Sequence, residues 1–192
     1  MKGSPLKVWS IRTEAELDTL LSGQPLRTDP SRIDPDFARP DAYHWMARQL
    51  AEKVAPPEGI VYPIWVWQCW SGPDRVMPDL RARGHVAKGQ AAVRLTLDIP
   101  KQLLLLSDFD TWHCVLNHHY NAVNDEDYQA FEAYLAGETD KSAIEQKIEQ
   151  SWLKIFDIDH LLTHWPNQYS IQGVTWEILP EYLLGYQRFI GR

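Results

Sequence analysis

Cysteine is scarce in this sequence: Cys69 and Cys114 are the only two in 192 residues. Two isolated cysteines build no disulfide framework, no Cys-x-x-Cys redox pair and no thiolate zinc site, and a reduced cytoplasm is the expected setting. Long apolar runs are missing as well. None approaches the roughly 18–20 residues of a membrane helix, so no membrane partner is expected. The opening Met1-Lys2-Gly3-Ser4-Pro5-Leu6-Lys7 has neither the apolar stretch nor the small-residue cleavage site of a signal peptide. Basic residues are outnumbered, 19 Lys and Arg against 26 Asp and Glu, for a net charge of −7. That balance excludes a protein that coats DNA non-specifically through many cationic contacts. The Walker loop, the Gly-x-Gly-x-x-Gly turn, His-Glu-x-x-His and Gly-x-Ser-x-Gly are all absent, which removes the commonest signatures of nucleotide hydrolases, dinucleotide dehydrogenases, zinc peptidases and α/β-hydrolases. His118 and His119 are adjacent and diverge on a helix, so with His113 they form no chelating set, and no metal is assigned.

Tryptophan is what the chain has in excess. Nine of them, with eight tyrosines, mark either an aromatic-rich core or a pocket that stacks a flat ligand. The charge is also uneven. Residues 123–150 carry eight acids and two bases, whereas Arg75, Arg81, Arg83, Lys88 and Arg94 face only Asp79 within residues 75–94. An acidic whole is compatible with a local phosphate-binding patch. Arg75, Arg81, Arg83 and Lys88 are therefore candidate nucleic-acid contacts.

The alternation in Lys7–Arg12 predicts a strand, and Thr13-Glu14-Ala15-Glu16 a capping box that opens a short helix with Leu17, Leu20 and Leu21 on one face. Residues 24–39 are dense in Pro and Asp and predict a structured loop. A helix follows over 41–54, with Ala42, Trp45, Met46, Gln49 and Leu50 as its buried stripe. Tyr62–Trp70 is apolar on both alternating sets, the pattern of a central strand covered on two faces. Ala92–Ile99, Leu103–Leu106, Ser170–Leu179 and Tyr182–Ile190 predict further strands, and helices are expected over 108–118, from 125 to Gly137 and over 140–156. The expectation is a single α+β domain spanning 1–192. Its central sheet is mixed and mostly antiparallel, with flanking helices and an acidic helical insertion over 125–156.

Three groups of residues carry candidate chemistry. Asp110, His113 and Asn117 share one face of a helix, either in plain solvent or lining a cleft. Glu177 interrupts a run of β-formers, so its carboxylate lies on a solvent face or points into a cleft. The third group is the pair of segments near the two ends of the chain: Val8-Trp9-Ser10-Ile11-Arg12-Thr13 with Leu20-Leu21-Ser22-Gly23, and Trp176-Glu177-Ile178-Leu179-Pro180 with Leu183-Leu184-Gly185-Tyr186.

These end segments resemble the opening and closing motifs of the ADP-ribosyltransferase superfamily, especially its bacterial toxin branches that act on DNA and RNA. The resemblance covers about a fifth of the chain. A second resemblance covers nearly all of it, to a bacterial and phage family of unknown function. It runs through Val8–Ile11, Tyr43–Met46, Tyr62–Trp67, Pro78-Asp79-Leu80, Leu106–Asn117 and Gln172–Glu177. The transferase resemblance implies a split sheet, NAD as substrate and a macromolecular acceptor. It places Glu177 on the catalytic glutamate that stabilises an oxocarbenium-like transition state. Ser10 falls where the family has a histidine or an arginine, with Arg12 two residues on as the substitute cation. Tyr62, Trp65 or Trp67 would stack nicotinamide, and Arg12 or Arg94 would neutralise the diphosphate. The alternative reading is a non-enzymatic module that binds nucleic acid or protein on a degenerate transferase-like fold.

Overall fold

The computed structural model describes residues 4–29 and 39–192. Of the Pro- and Asp-rich segment 24–39, residues 30–38 lie outside the described residues.

The chain forms the expected α+β architecture. Six strands, β1 (Pro5–Arg12), β3 (Ile64–Cys69), β4 (Ala91–Pro100), β5 (Leu105–Asp108), β6 (Ile171–Thr175) and β8 (Leu183–Ile190), assemble in the order β5-β6-β3-β1-β4-β8. Every neighbouring pair is antiparallel. A separate ribbon pairs β2 (Leu26–Arg27) with β7 (Glu177–Ile178). The helices are α1 (Glu14–Leu21), α2 (Pro40–Lys53), α3 (Phe109–Leu116), α4 (Asp125–Gly137), α5 (Lys141–Trp152) and α6 (Ile158–His164).

The alternation of β4 sets the two faces of the sheet. Val93, Leu95, Leu97 and Ile99 are fully buried and pack with Leu17 and Leu20 of α1. The β1–β4 register sets Val8, Ser10 and Arg12 against Leu97, Leu95 and Val93, on this α1 face. The opposite face is covered by α2, α3 and α5. There Trp45, Trp112, Trp152 and Trp176 are buried with Met46, Leu50 and Val174. Most of the tryptophan surplus is therefore core. β3 feeds both layers, Ile64 and Val66 into the first and Trp65 into the second, as expected for a strand covered on two faces.

Local signals hold where their chemistry is local. Thr13 and Glu16 form the complete capping box, and α1 buries Leu17 and Leu20, although Leu21 is 54% exposed. Asp108, Asn124 and Asp140 cap α3, α4 and α5 through their side chains. Three expectations change. The strand over Ser170–Leu179 is broken at Trp176, whose ring turns into the α2-side core while Nε1 donates to the Val54 carbonyl at 2.7 Å. The chain then leaves the main sheet and pairs with β2 instead. The segment 103–106 is split between a 3-10 turn over Lys101–Leu103 and β5. The helix expected to 156 tightens into a 3-10 turn over Leu153–Phe156, and α6 follows it. The acidic segment is seated on the body by Phe131, Trp152 and Ile155, all buried.

Asp127 ties α4 to the end of that segment. Its carboxylate accepts from Lys154 Nζ at 2.7 Å, Tyr120 Oη at 2.8 Å and the Val123 amide at 3.0 Å. These bonds, led by that of Lys154, lower its pKa from 3.8 to about 2. A depressed carboxylate stabilises the fold above its unfolded pKa, and that contribution is lost as pH falls through the folded value. Asp127→Asn is expected to lower stability at neutral pH and to flatten the loss of stability between pH ~4 and ~2, measured by urea denaturation across that range. Thr13→Ala removes the cap of α1 and should cost about 1 kcal/mol, seen in a thermal scan as a fall of roughly 2–4 °C.

Candidate functional site

The sheet is weakly joined in one place, between β1 and β3. β1 pairs with β4 at eight consecutive positions but with β3 only at Trp9↔Trp67. Continued register would set Ile11 against Trp65, but the ladder stops short of it. The Trp65 carbonyl, left without a strand partner, is satisfied by side chains. Ser10 Oγ donates to it at 2.8 Å and Arg12 Nη2 at 3.1 Å, while Arg12 Nε donates to Ser10 Oγ at 2.8 Å. A buried carbonyl has to find donors, and here a serine and a guanidinium replace the backbone amide.

Arg12 opens onto a cavity of about 540 Å³ between α1 and β2, with Thr13, Glu16, Thr19, Arg27 and Thr28 among its lining. Burial lowers the Arg12 pKa and the adjacent Glu16 carboxylate raises it; a guanidinium stays charged through such shifts. Glu16 lies 3.6 Å from Arg12 and also accepts from the Thr13 amide and hydroxyl. Across the cavity, Arg27 holds Glu177: Nε and Nη2 donate to the same carboxylate oxygen at 3.0 and 2.9 Å. Arg27 lines the cavity and Glu177 does not, so Glu177 stands one ion pair behind the wall. Both cations therefore already have acidic partners, and Asp29 adds a further carboxylate to the lining.

The structure thus brings Ser10, Arg12 and the Trp65 backbone together, and sets Glu177 beside the same cavity through Arg27. Sequence reasoning missed Arg27, because its role depends on a two-residue ribbon too short to leave a periodic signal.

The other candidates lie elsewhere. Tyr62 stacks on His44 and its hydroxyl meets His44 Nε2 at 2.6 Å. The Trp65 ring packs on Tyr43 and Trp112 on the α2 face, away from Arg12. Arg94 alternates onto that face too, where it binds the Pro78 carbonyl at 2.7 Å and Gln187 at 2.8 Å. It anchors the loop over 71–90, and burial lowers its pKa. His113 and Asn117 bond carbonyls of their own helix and, like Asp110, are exposed. That face of α3 is a solvated one, and none of the three lines the Arg12 cavity. The basic loop lies across the sheet from the cavity rather than at its mouth, because Arg94 and the His85 contacts with Trp70 and Phe189 hold it to the opposite face. Within it Arg81 is paired with Asp79 at 2.8 Å, which drives the Asp79 carboxyl well below the usual carboxylate range.

Among the described residues no group of three His, Cys, Asp or Glu side chains is placed to hold a metal ion. No helix described is long and apolar enough to cross a membrane.

Fold and site define an α+β protein whose antiparallel sheet parts at one strand pair beside a polar, arginine-bearing cavity. The chain belongs to a family described as a domain of unknown function, DUF3841, whose model matches residues 7–183. Comparison with curated proteins and with solved structures gives no match.

Ser10→Ala leaves the Trp65 carbonyl with the guanidinium alone and removes the acceptor of Arg12 Nε. It is expected to lower stability by about 1–2 kcal/mol, read as a lower urea midpoint with an unchanged slope.

Proposed function

We propose that the protein is an ADP-ribosyltransferase-like enzyme that uses NAD as substrate and transfers ADP-ribose to a macromolecule, in a toxin- or phage-related setting. The observation that carries this reading is the parting of β1 from β3 at Ser10–Arg12, beside a cavity whose wall residue Arg27 holds Glu177. A dinucleotide is long and polar, and a cavity of about 540 Å³ lined by two guanidiniums, three threonine hydroxyls and the carboxylates of Glu16 and Asp29 suits it in size. Arg12 would bind a diphosphate oxygen by a charge-assisted bond. Glu177 would bond the ribose 2′-hydroxyl and stabilise positive charge as the nicotinamide–ribose bond lengthens. The bond breaks with its electron pair leaving on nicotinamide, and an acceptor oxygen or nitrogen attacks the sugar carbon and gives up its proton. For this to occur, Glu177 must exchange Arg27 for the sugar.

The Arg27–Glu177 pair also favours a second reading, a binding module on a transferase-like frame. There the carboxylate is spent on the ion pair and carries no chemistry.

Labelled NAD and a lysate, incubated with wild type and Glu177→Gln, separate the two. The amide keeps the shape and removes the charge, so the transferase reading expects label transfer by wild type and a loss of at least about 100-fold in the variant, the scale of removing one transition-state electrostatic partner. Equal labelling by both proteins removes Glu177 from the mechanism. No labelling and no NAD binding by wild type leaves the binding module.

A further inference from the structure

A second cavity, of about 290 Å³, lies between α2, the end of α3 and α5 and shares no lining residue with the Arg12 cavity. Six ionisable side chains line it: Arg39, Asp41, His44, Arg48, His118 and Glu149. Its backbone is as unusual as its charge. Among the described residues, Arg39 and His118 are the two that adopt a left-handed conformation without being glycine, at φ 85° and φ 55°. Both line this one cavity. A residue with a Cβ takes that conformation only when its surroundings hold it there, and such residues gather at ligand clamps and active sites.

The two imidazoles are held from outside the lining. His44 Nε2 meets the Tyr62 hydroxyl at 2.6 Å, and His118 Nε2 meets the Glu145 carboxylate while its ring packs edge-on against Trp152. Neither Nδ1 has a hydrogen-bond partner among the described residues, so each oriented ring keeps one nitrogen for a ligand. Asp41, His44 and Arg48 follow one another at helical spacing along one face of α2. The guanidiniums of Arg39 and Arg48 and the carboxylates of Asp41 and Glu149 are exposed and make no hydrogen bond or ion pair among the described residues. In this they differ from Arg12 and Arg27, which already have acidic partners.

The residue types narrow the ligand. Guanidiniums and imidazoles bind phosphoryl oxygens by charge-assisted bonds. Carboxylates repel a bare phosphate but accept the protons of hydroxyl groups. A volume of about 290 Å³ is at the small end of ligand clefts. We infer that this cavity binds a small phosphorylated polyol, its phosphoryl group on Arg39, Arg48 and the imidazoles and its hydroxyls on Asp41 and Glu149. The site lies apart from the proposed transferase centre and does not rest on that reading.

The test is calorimetric titration of wild type, Arg48→Gln and Asp41→Ala with ribose phosphate, ribose and inorganic phosphate, all without NAD. NMR of the histidine rings, assigned through His44→Gln and His118→Gln, locates the bound molecule. A thermal scan of each variant reports folding, and the exposed positions 41 and 48 should tolerate their changes. Ribose phosphate should bind wild type more tightly than either ribose or inorganic phosphate. It should move the ring signals of His44 and His118 and leave those of the other five of the seven histidines in place. Arg48→Gln should weaken ribose phosphate about tenfold or more, the scale of one lost charge-assisted bond. Asp41→Ala should narrow the preference for ribose phosphate over inorganic phosphate, because it removes both a hydroxyl acceptor and a repelling charge. Absence of binding, wild-type affinity in a folded Arg48→Gln, or movement only of other histidines overturns the inference. Equal affinity for inorganic phosphate and ribose phosphate overturns the polyol assignment. Because no NAD is present and the readout sits at His44 and His118, these failures are distinct from failure of the transferase reading.

Discussion

The Trp65 carbonyl is the point on which the site's arrangement turns. A sheet normally satisfies such a group through the next strand's amide, but here β1 withdraws and delivers a hydroxyl and a guanidinium instead. Three features meet at that point. The Arg12 side chain is fixed across the gap, with its remaining nitrogen near Glu16. Thr13 follows at once as the cap of α1, so the strand end and the helix start are welded at the cavity wall. The β2–β7 ribbon closes the other side of the cavity by docking Leu26 and Ile178 into the same core as α1.

The two faces of the sheet carry different chemistry because β3 alternates between them. Its aliphatic residues join the α1 layer, which holds the polar cavity, and its tryptophans join the aromatic layer on the other side. Trp65 is the one residue that serves both, its carbonyl on one side and its indole on the other.

The parts of this fold legible in the sequence were those whose cause is local. The Thr13–Glu16 box and the alternation of β4 depend on residues within a few positions of one another, and each occurs where the sequence places it. The break at Trp176 was not legible, because its cause is the Val54 carbonyl 122 positions away. The same holds for Arg27 and for the anchoring role of Arg94. Nothing local to Arg94 shows that Pro78 and Gln187 would receive it. Ser10, Arg12 and Glu177 were singled out on short end motifs. The structure sets the first two in contact and the third behind Arg27, a distinction that no spacing rule expresses.

The strand order has a further consequence for how the sheet can be assembled. β6 sits between β5 and β3, and β8 covers the outer edge of β4, yet both come from residues 171–190. Until that segment is available, β3 and β5 have no common neighbour and β4 presents a bare row of amides and carbonyls. Chain closure of this kind, in which a late stretch must thread between two earlier strands, is slow and leaves strand edges open to wrong partners.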